Sequence, residues 1–250
     1  MNWHDRYLLQ AGWTHELRSY LFRNAGLSSA RRVLEVGCGT GAILCELSLP
    51  DNDNHTGAMP YGVDRSAAVL IECRNHAPGA RLTRADALSL PFLDKTFDIA
   101  YCHYLLLWVH NPLHALHEMK RVTRPQGHIL VLAEPDYTTR VDRPREIAWL
   151  GKLQTESLER QGADVGIGSR LADLFYQAGI GILETGAIQN RVDKVLSHEE
   201  WENEWSVLLA DLADTVTGEE LQEMKRLDEQ AWRHGEHEMN VPTYFAWGQV

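Results

Sequence analysis

The stretch Arg31-Arg32-Val33-Leu34-Glu35-Val36-Gly37-Cys38-Gly39-Thr40-Gly41-Ala42 decides the fold. Four apolar or buried-type residues in a row read as a short strand, and the alternating glycines after them read as a tight turn. Ala42 to Leu49 then reads as helix. Glycine lets a backbone turn sharply and approach a ligand closely. The next strand, Tyr61-Gly62-Val63-Asp64, ends in an acid 23 residues after Gly41. A carboxylate there can accept both hydroxyls of a ribose. The glycine pattern alone is also satisfied by a turn packed for structural reasons. Strand before, helix after and acid on the following strand together favour a nucleotide-binding crevice.

Outward from this stretch, strands and helices alternate. Ser66 to His76 reads as helix with Ser66 as N-cap. Arg81 to Arg84 and Phe97 to Cys102 read as strands, Pro112 to Val122 as a helix opened by proline, and His128 to Ala133 as a strand. A polar loop is expected at Pro50 to Pro60. The spacing predicts a doubly wound α/β fold whose parallel sheet is covered on both faces. Upstream, Trp3 to Leu27 reads as one helix closed by Gly26. Downstream come a helix over Arg143 to Gln161, resumed alternation at Arg170 to Ala178, a strand at Gly181 to Val192, a long acidic helix over Ser197 to His234 and a closing strand at Val241 to Val250. The expected architecture is a lid (1–27) and a core domain (28–250) with helical cover insertions at about 143–165 and 197–235. The sheet from Arg31 onward is expected to have its own core, so the lid is expected to be dispensable for folding.

Four motifs in order resemble the class I S-adenosylmethionine-dependent methyltransferases. They are Glu35-x-Gly37-x-Gly39-x-Gly41, Ala85-Asp86-Ala87-Leu88-Ser89-Leu90-Pro91-Phe92, Phe97-Asp98-Ile99-Ala100-Tyr101-Cys102, and Glu118 through His128 entering the fifth strand. The likeness covers about residues 31–135. It is nearest the small-molecule branch that includes the quinone-biosynthesis C-methyltransferases, which carry the methyltransferase type 11 domain. The resemblance implies a Rossmann-like, mostly parallel seven-stranded sheet with S-adenosyl-L-methionine as cofactor. It places Gly37, Cys38 and Gly39 at the methionine and ribose end, Asp64 on the ribose, and Arg65 beside the adenine. Asp86 and Ala87 fall on the adenine edge, the Cys102 backbone near the methionine moiety, and Trp13 on a helix that folds over the cofactor. The implied activity is methyl transfer to a small-molecule acceptor, at an O, N or C atom. The alternatives are a non-catalytic S-adenosylmethionine-binding regulator, and an NAD(P)-dependent oxidoreductase, since Gly37-x-Gly39-x-x-Ala42 also fits the loose dinucleotide pattern. No tyrosine has a lysine four residues on, which weakens the short-chain dehydrogenase form of that rival.

His103 follows the fourth strand, where it could take a proton from an acceptor, or simply make a structural hydrogen bond. Glu134 and Asp136 follow the fifth strand and could orient an acceptor amine or cap the loop. His110, His114 and His117 share a spacing that could hold zinc, but no Cys or Asp completes a set, and no metal is expected. His234 and His237 have a weaker claim. Of eight tryptophans, six lie outside the nucleotide core; they could wall a substrate pocket or glue the cover to the sheet.

Lys and Arg number 24 and Asp and Glu 35, a net charge of −11. No basic stripe is visible, so a nucleic-acid partner is not expected. Thirteen acids in 199–238 face Lys225, Arg226 and Arg233. They read as a solvated helix face, or as a rim drawing a cationic amine acceptor; the expected acceptor is a small molecule, aromatic or cationic. No apolar run approaches the ~20 residues that span a bilayer, and Met1 to Arg6 lead into no apolar core. A cytoplasmic protein with reduced thiols at Cys38, Cys45, Cys73 and Cys102 is expected.

Overall fold

The computed structural model describes residues 3–48, 57–188, 197–212 and 215–250. Most of the expected loop at Pro50 to Pro60 and the end of the expected strand at Val192 lie outside these residues. The sheet strands are β1 (Arg32–Val36), β2 (Met59–Asp64), β3 (Arg81–Arg84), β4 (Phe97–Cys102), β5 (Thr123–Pro135), β7 (Gly181–Ile188) and β9 (Thr243–Gln249). Their order across the sheet is β3-β2-β1-β4-β5-β9-β7. The first five run parallel, and β9 runs antiparallel between β5 and β7. A small ribbon, β6 (Val141–Arg143) against β8 (Glu238–Asn240), stands apart. The helices are α1 (Trp3–Trp13), α2 (His15–Asn24), α3 (Leu44–Ser48), α4 (Ala67–His76), α5 (Pro112–Val122), α6 (Ala148–Arg160), α7 (Leu171–Gln177), α8 (His198–Leu212) and α9 (Gly218–His234).

Both faces of the central strands are apolar, as helices on each side require. In β4, Ala100 and Cys102 face the layer of α5 and α7, while Ile99 and Tyr101 face the layer of α2. Ile129 and Val131 alternate with Leu130 and Leu132 in β5 the same way. This two-residue period carries the sheet's register.

Three boundaries and one cap differ from expectation. The N-terminal helix is broken at Thr14, whose hydroxyl bonds the Ala11 carbonyl. Its second half, α2, buries Leu21 and Phe22 completely against Val33, Ile99 and Leu130. Residues 1–27 are therefore not one detachable cover: α2 belongs to the packing of the sheet, and only α1 lies over its edge. Ser66 precedes α4 as expected, yet its hydroxyl makes no cap bond; its backbone N–H donates instead to Asp64 Oδ1 at 2.8 Å. The long acidic helix is two helices, because Thr217 opens a fresh capping box with Glu220. β5 runs 13 residues rather than six, continuing straight out of α5.

The late helices have a core of their own. Ile147, Leu150, Trp201, Trp205, Leu208 and Leu221 pack together between α6, α8 and α9. At its centre Asp228 is fully buried. Its Oδ2 accepts the indole N–H of Trp201 at 2.7 Å and of Trp205 at 2.6 Å. Its Oδ1 takes His237 Nδ1 at 2.7 Å, and His237 Nε2 reaches Glu204 at 2.9 Å. These two tryptophans are glue for the cover. Trp3, Trp13 and Trp149 are exposed. The acids beside them are largely paired: Glu202 with Lys225, Glu223 with Arg226 and Glu229 with Arg233.

Candidate functional site

β1 and β4 are neighbours although β2 and β3 intervene in sequence, so the chain reverses its direction of progress across the sheet there. Open α/β sheets form their ligand crevice at that point, beyond the carboxyl ends of the strands. A cavity of about 110 Å³ occupies it, lined by Gly37, Asp64, Arg65, Asp86, Ala87 and Leu105 among others. The turn after β1 makes it. Gly37, Gly39 and Gly41 have φ of 75°, 50° and 85°, a left-handed region that costs an L side chain about 1–2 kcal/mol per residue. Gly37 is doubly required, since a Cβ there would stand 2.6 Å from Leu105 Cδ1.

The turn's donors are committed. Gly37 and Cys38 N–H both donate to the Val63 carbonyl, at 2.8 and 2.9 Å. Gly39 N–H donates to Asp64 Oδ2 at 3.1 Å. Asp64 thus ties β2 to the turn while its carboxylate lines the cavity. Asp86 Oδ1 accepts the Leu88 N–H at 2.9 Å and shapes the loop that forms the opposite wall.

Five expected binding residues, Gly37, Asp64, Arg65, Asp86 and Ala87, come together on this cavity. Cys38, Gly39, Cys102 and Trp13 do not line it. The Cys38 thiol lies beneath the turn, hydrogen-bonded to Cys73; that bond and burial push it up, so it stays protonated. Cys102 is fully buried, and burial likewise pushes its thiol up. Gly39 lies under the ring of Tyr7, which a Cβ would approach to 3.6 Å. Trp13 projects from the far end of α1, 47% exposed. Tyr7, not Trp13, is thus the α1 aromatic that covers the turn. The sequence reading also missed Leu105, Trp108, Val109 and His110 as cavity walls. The apolar run directly after β4 was the available signal, because it must leave the sheet at its carboxyl edge.

Glu134 caps the loop. It is fully buried and accepts the backbone N–H of Leu105, Leu106 and Leu107 at 2.9, 2.7 and 3.1 Å. Burial outweighs those bonds and raises its carboxyl to about 7. Asp136 similarly receives the Thr138 N–H at 2.9 Å. His103 Nε2 lies 2.9 Å from Thr14 Oγ1, at the break between α1 and α2. Burial, helped by the Arg18 charge, holds it down to about 3, so the ring is neutral. His110, His114 and His117 do not converge: His110 lines the cavity, and His114 Nε2 bonds the Leu88 carbonyl. None of the four cysteines forms a disulfide. Among the described residues, no helix is long and apolar enough to cross a membrane.

A second hollow of about 630 Å³ opens beyond β5, lined by Tyr137, Arg140, Lys152, Glu156 and Glu159 among others. α1 is tied to this side of the molecule. Arg6 pairs with Asp211 at 2.8 Å, and Asp211 accepts the Gln154 amide at 2.5 Å.

Residues 34–131 match the family model of the methyltransferase domain. The chain is 33% identical over 129 residues to the ubiquinone/menaquinone biosynthesis C-methyltransferase of Bdellovibrio bacteriovorus, covering 50% of this chain and 53% of that protein. It is 34% identical over 132 residues to the demethylmenaquinone methyltransferase of Renibacterium salmoninarum, covering 53% of each. The chain thus spans about half the length of these curated relatives. Among solved structures, a Bacillus halodurans protein assigned as a methyltransferase superposes with a TM-score of 0.63 at 16% identity, covering 92% of this chain and 97% of that one. That likeness speaks to the fold, and the motif-bearing segment speaks to the family: residues 34–131 carry a methyltransferase domain of the class I S-adenosylmethionine-dependent kind.

Proposed function

We propose that the chain binds S-adenosylmethionine in the cavity between Gly37 and Asp86 and transfers its methyl group to a small-molecule acceptor. The commitment of the turn's N–H groups supports this reading most. A dinucleotide pyrophosphate needs free N–H donors at such a turn. Here the Val63 carbonyl and the Asp64 carboxylate already hold three of them. A ribose diol needs only the carboxylate, whose oxygens have lone pairs to spare.

When bound, the cofactor supplies a sulfonium whose methyl carbon is already electrophilic. The chain's own task is to bind, align and exclude water, and alignment can lower a barrier by ~7–11 kcal/mol. Tyr7 over Gly39 makes α1 the lid in this reading. The hollow beside Tyr137 is the acceptor's place; with Arg140 paired to Asp142 and Lys152 to Glu156, Tyr137 and Glu159 are left to suit an aromatic or cationic molecule. The relatives' names supply a carbon acceptor as one arm of the test. We assign His103 a positioning role at the root of the lid, because a ring titrating near 3 is far from the range that serves a general base at neutral pH.

Asp64→Ala is expected to weaken S-adenosylmethionine binding by ~1.5–3 kcal/mol, roughly 10- to 150-fold, through loss of a charged hydrogen-bond pair. Calorimetry with S-adenosylmethionine and with NAD on the same protein decides it. Unchanged affinity in the variant, or tighter NAD binding by the parent, would overturn the assignment. Labelled methyl transfer to a panel of phenols, amines and enolisable carbons then identifies the acceptor; a panel wholly unmethylated by a protein that binds the cofactor favours the regulator. In that assay His103→Asn should leave the shape of the pH–rate profile unchanged. Loss of a limb would restore His103 as the proton acceptor.

A further inference from the structure

We propose that His4, Glu72 and His76 form a binding site for a divalent transition metal of the zinc class, clasping α1 to the glycine turn. His4 stands in the first turn of α1. Glu72 and His76 are four residues apart on α4 and share one helix face. One donor atom from each residue falls within 4.8 Å of the others, and all three residues are half-buried. Among the described residues, no other three His, Cys, Asp or Glu donors approach so closely. Two imidazoles and a carboxylate are a donor set that zinc accepts, with its fourth position left to water or another ligand.

The site is also built behind its donors. His76 Nδ1 lies 3.1 Å from the Thr40 carbonyl, which can only accept, so Nδ1 carries the proton and Nε2 keeps its lone pair. His4 Nδ1 lies 2.8 Å from the Thr40 hydroxyl. Thr40 is fully buried between Gly39 and Gly41. Metal-bound histidines characteristically bond a protein group through the other nitrogen, which fixes the tautomer and the ring's direction. Here one residue of the glycine turn does this for both rings. The rings stack at 3.4 Å and 11°. Tetrahedral zinc with bonds of ~2.0–2.1 Å holds donors ~3.3 Å apart. Closing onto the metal therefore draws the donors inward and splays the two rings until their Nε2 lone pairs converge. A ligand that bridges α1 and α4 through this turn stabilises the arrangement in which α1 lies down, by linkage.

The full chain, stripped with chelator, is titrated with ZnCl₂ by calorimetry and with CoCl₂ by visible absorption. The expected result is one site per chain, with cobalt bands of a four-coordinate nitrogen and oxygen site. His4→Ala and His76→Ala are expected to weaken it at least ~100-fold, since even a partner behind a ligand is worth 10–100-fold. Glu72→Gln should weaken it as well, and the paired His114→Ala, His117→Ala variant should bind like the parent. Zinc should also slow amide exchange in α1. His4→Asn provides a second loss of ligand if the alanine variant melts early. No saturable binding, binding that survives both His4→Ala and His76→Ala, or binding lost in Cys45→Ser would each overturn the proposal. None of these readouts involves methyl transfer, so this site and the cofactor reading stand or fall separately.

Discussion

Asp228→Ala is expected to destabilise the protein by ~3–5 kcal/mol, because it removes the fully buried carboxylate that pairs a charged ring and leaves only the half-buried Glu204 beside it. Asp228 is 0% exposed and receives two indole N–H groups and one imidazole. Its loss strands all three donors in the core formed by α6, α8 and α9, and a stranded donor is costly where water cannot replace the partner. Urea unfolding followed by tryptophan fluorescence measures it, since Trp201 and Trp205 report this cluster directly. A loss below ~1 kcal/mol would show that the cover tolerates an empty centre. The same cluster sets a pH dependence. Burial alone would lower His237, but the hydrogen bonds to Asp228 and Glu204 outweigh it and push it up to about 9. Glu204 moves the other way for an acid beside an imidazolium: burial holds its carboxyl above the usual range. Asp228 is accordingly the stronger anchor. A folded value near 9 against ~6.5 unfolded means that the stabilisation is fully present below ~6.5 and is lost as pH rises through 9. Its size is on the order of 3 kcal/mol. His237→Gln should flatten this slope, and an equal slope in the variant would assign it elsewhere.

Removal of residues 1–13 is expected to leave a cooperatively folded protein without methyl transfer, whereas removal of 1–27 is expected to prevent folding. α1 buries only Ala11 and meets the molecule through Tyr7, Arg6 and His4. Its loss therefore exposes little of the apolar core. α2 is different: Leu21 and Phe22 are 0% exposed and close the sheet face over Ile99 and Leu130. Phe22→Ala alone is expected to cost ~3–5 kcal/mol, a large part of a domain's margin. Thermal melts and methyl-transfer assays on the two truncations check both halves. A soluble, cooperatively melting chain lacking 1–27 would show that the sheet closes without α2; full turnover by the shorter truncation would show that α1 is no lid.

The sheet was legible because its signals are local. The limits of β3, β4 and α5 follow from periodicity and a single proline, and the glycine turn needs three left-handed residues in five. What escaped depends on residues far apart in sequence. Near the break the sequence offers only Gly12 and the N-cap residue type of Thr14, both tolerated within longer helices; what holds Thr14 there includes His103, 89 positions away. Trp201 and Trp205 read equally well as pocket wall or glue until Asp228 supplied their partner. The β6–β8 ribbon joins two three-residue segments nearly a hundred positions apart, too short for either to show a pattern. For the site, Asp64, Arg65, Asp86 and Ala87 were reachable from motif spacing. Tyr7 was not, since which helical residue faces a turn depends on how the helix docks.

The place of β9 governs how the chain can be made. It lies inside the sheet, hydrogen-bonded to β5 on one side and β7 on the other. Yet it is synthesised after β5, β7 and the whole cover, with Pro135 and Thr243 paired across about a hundred intervening residues. Until it emerges from the ribosome, the nascent chain displays the open edge of β5, an apolar strand with unpaired backbone groups. Such an edge templates association with other chains, and late, distant pairing slows closure. A ribosome stalled within α9 would hold out an adhesive half-sheet, so the interval between translating α5 and translating β9 is when this protein most needs a chaperone.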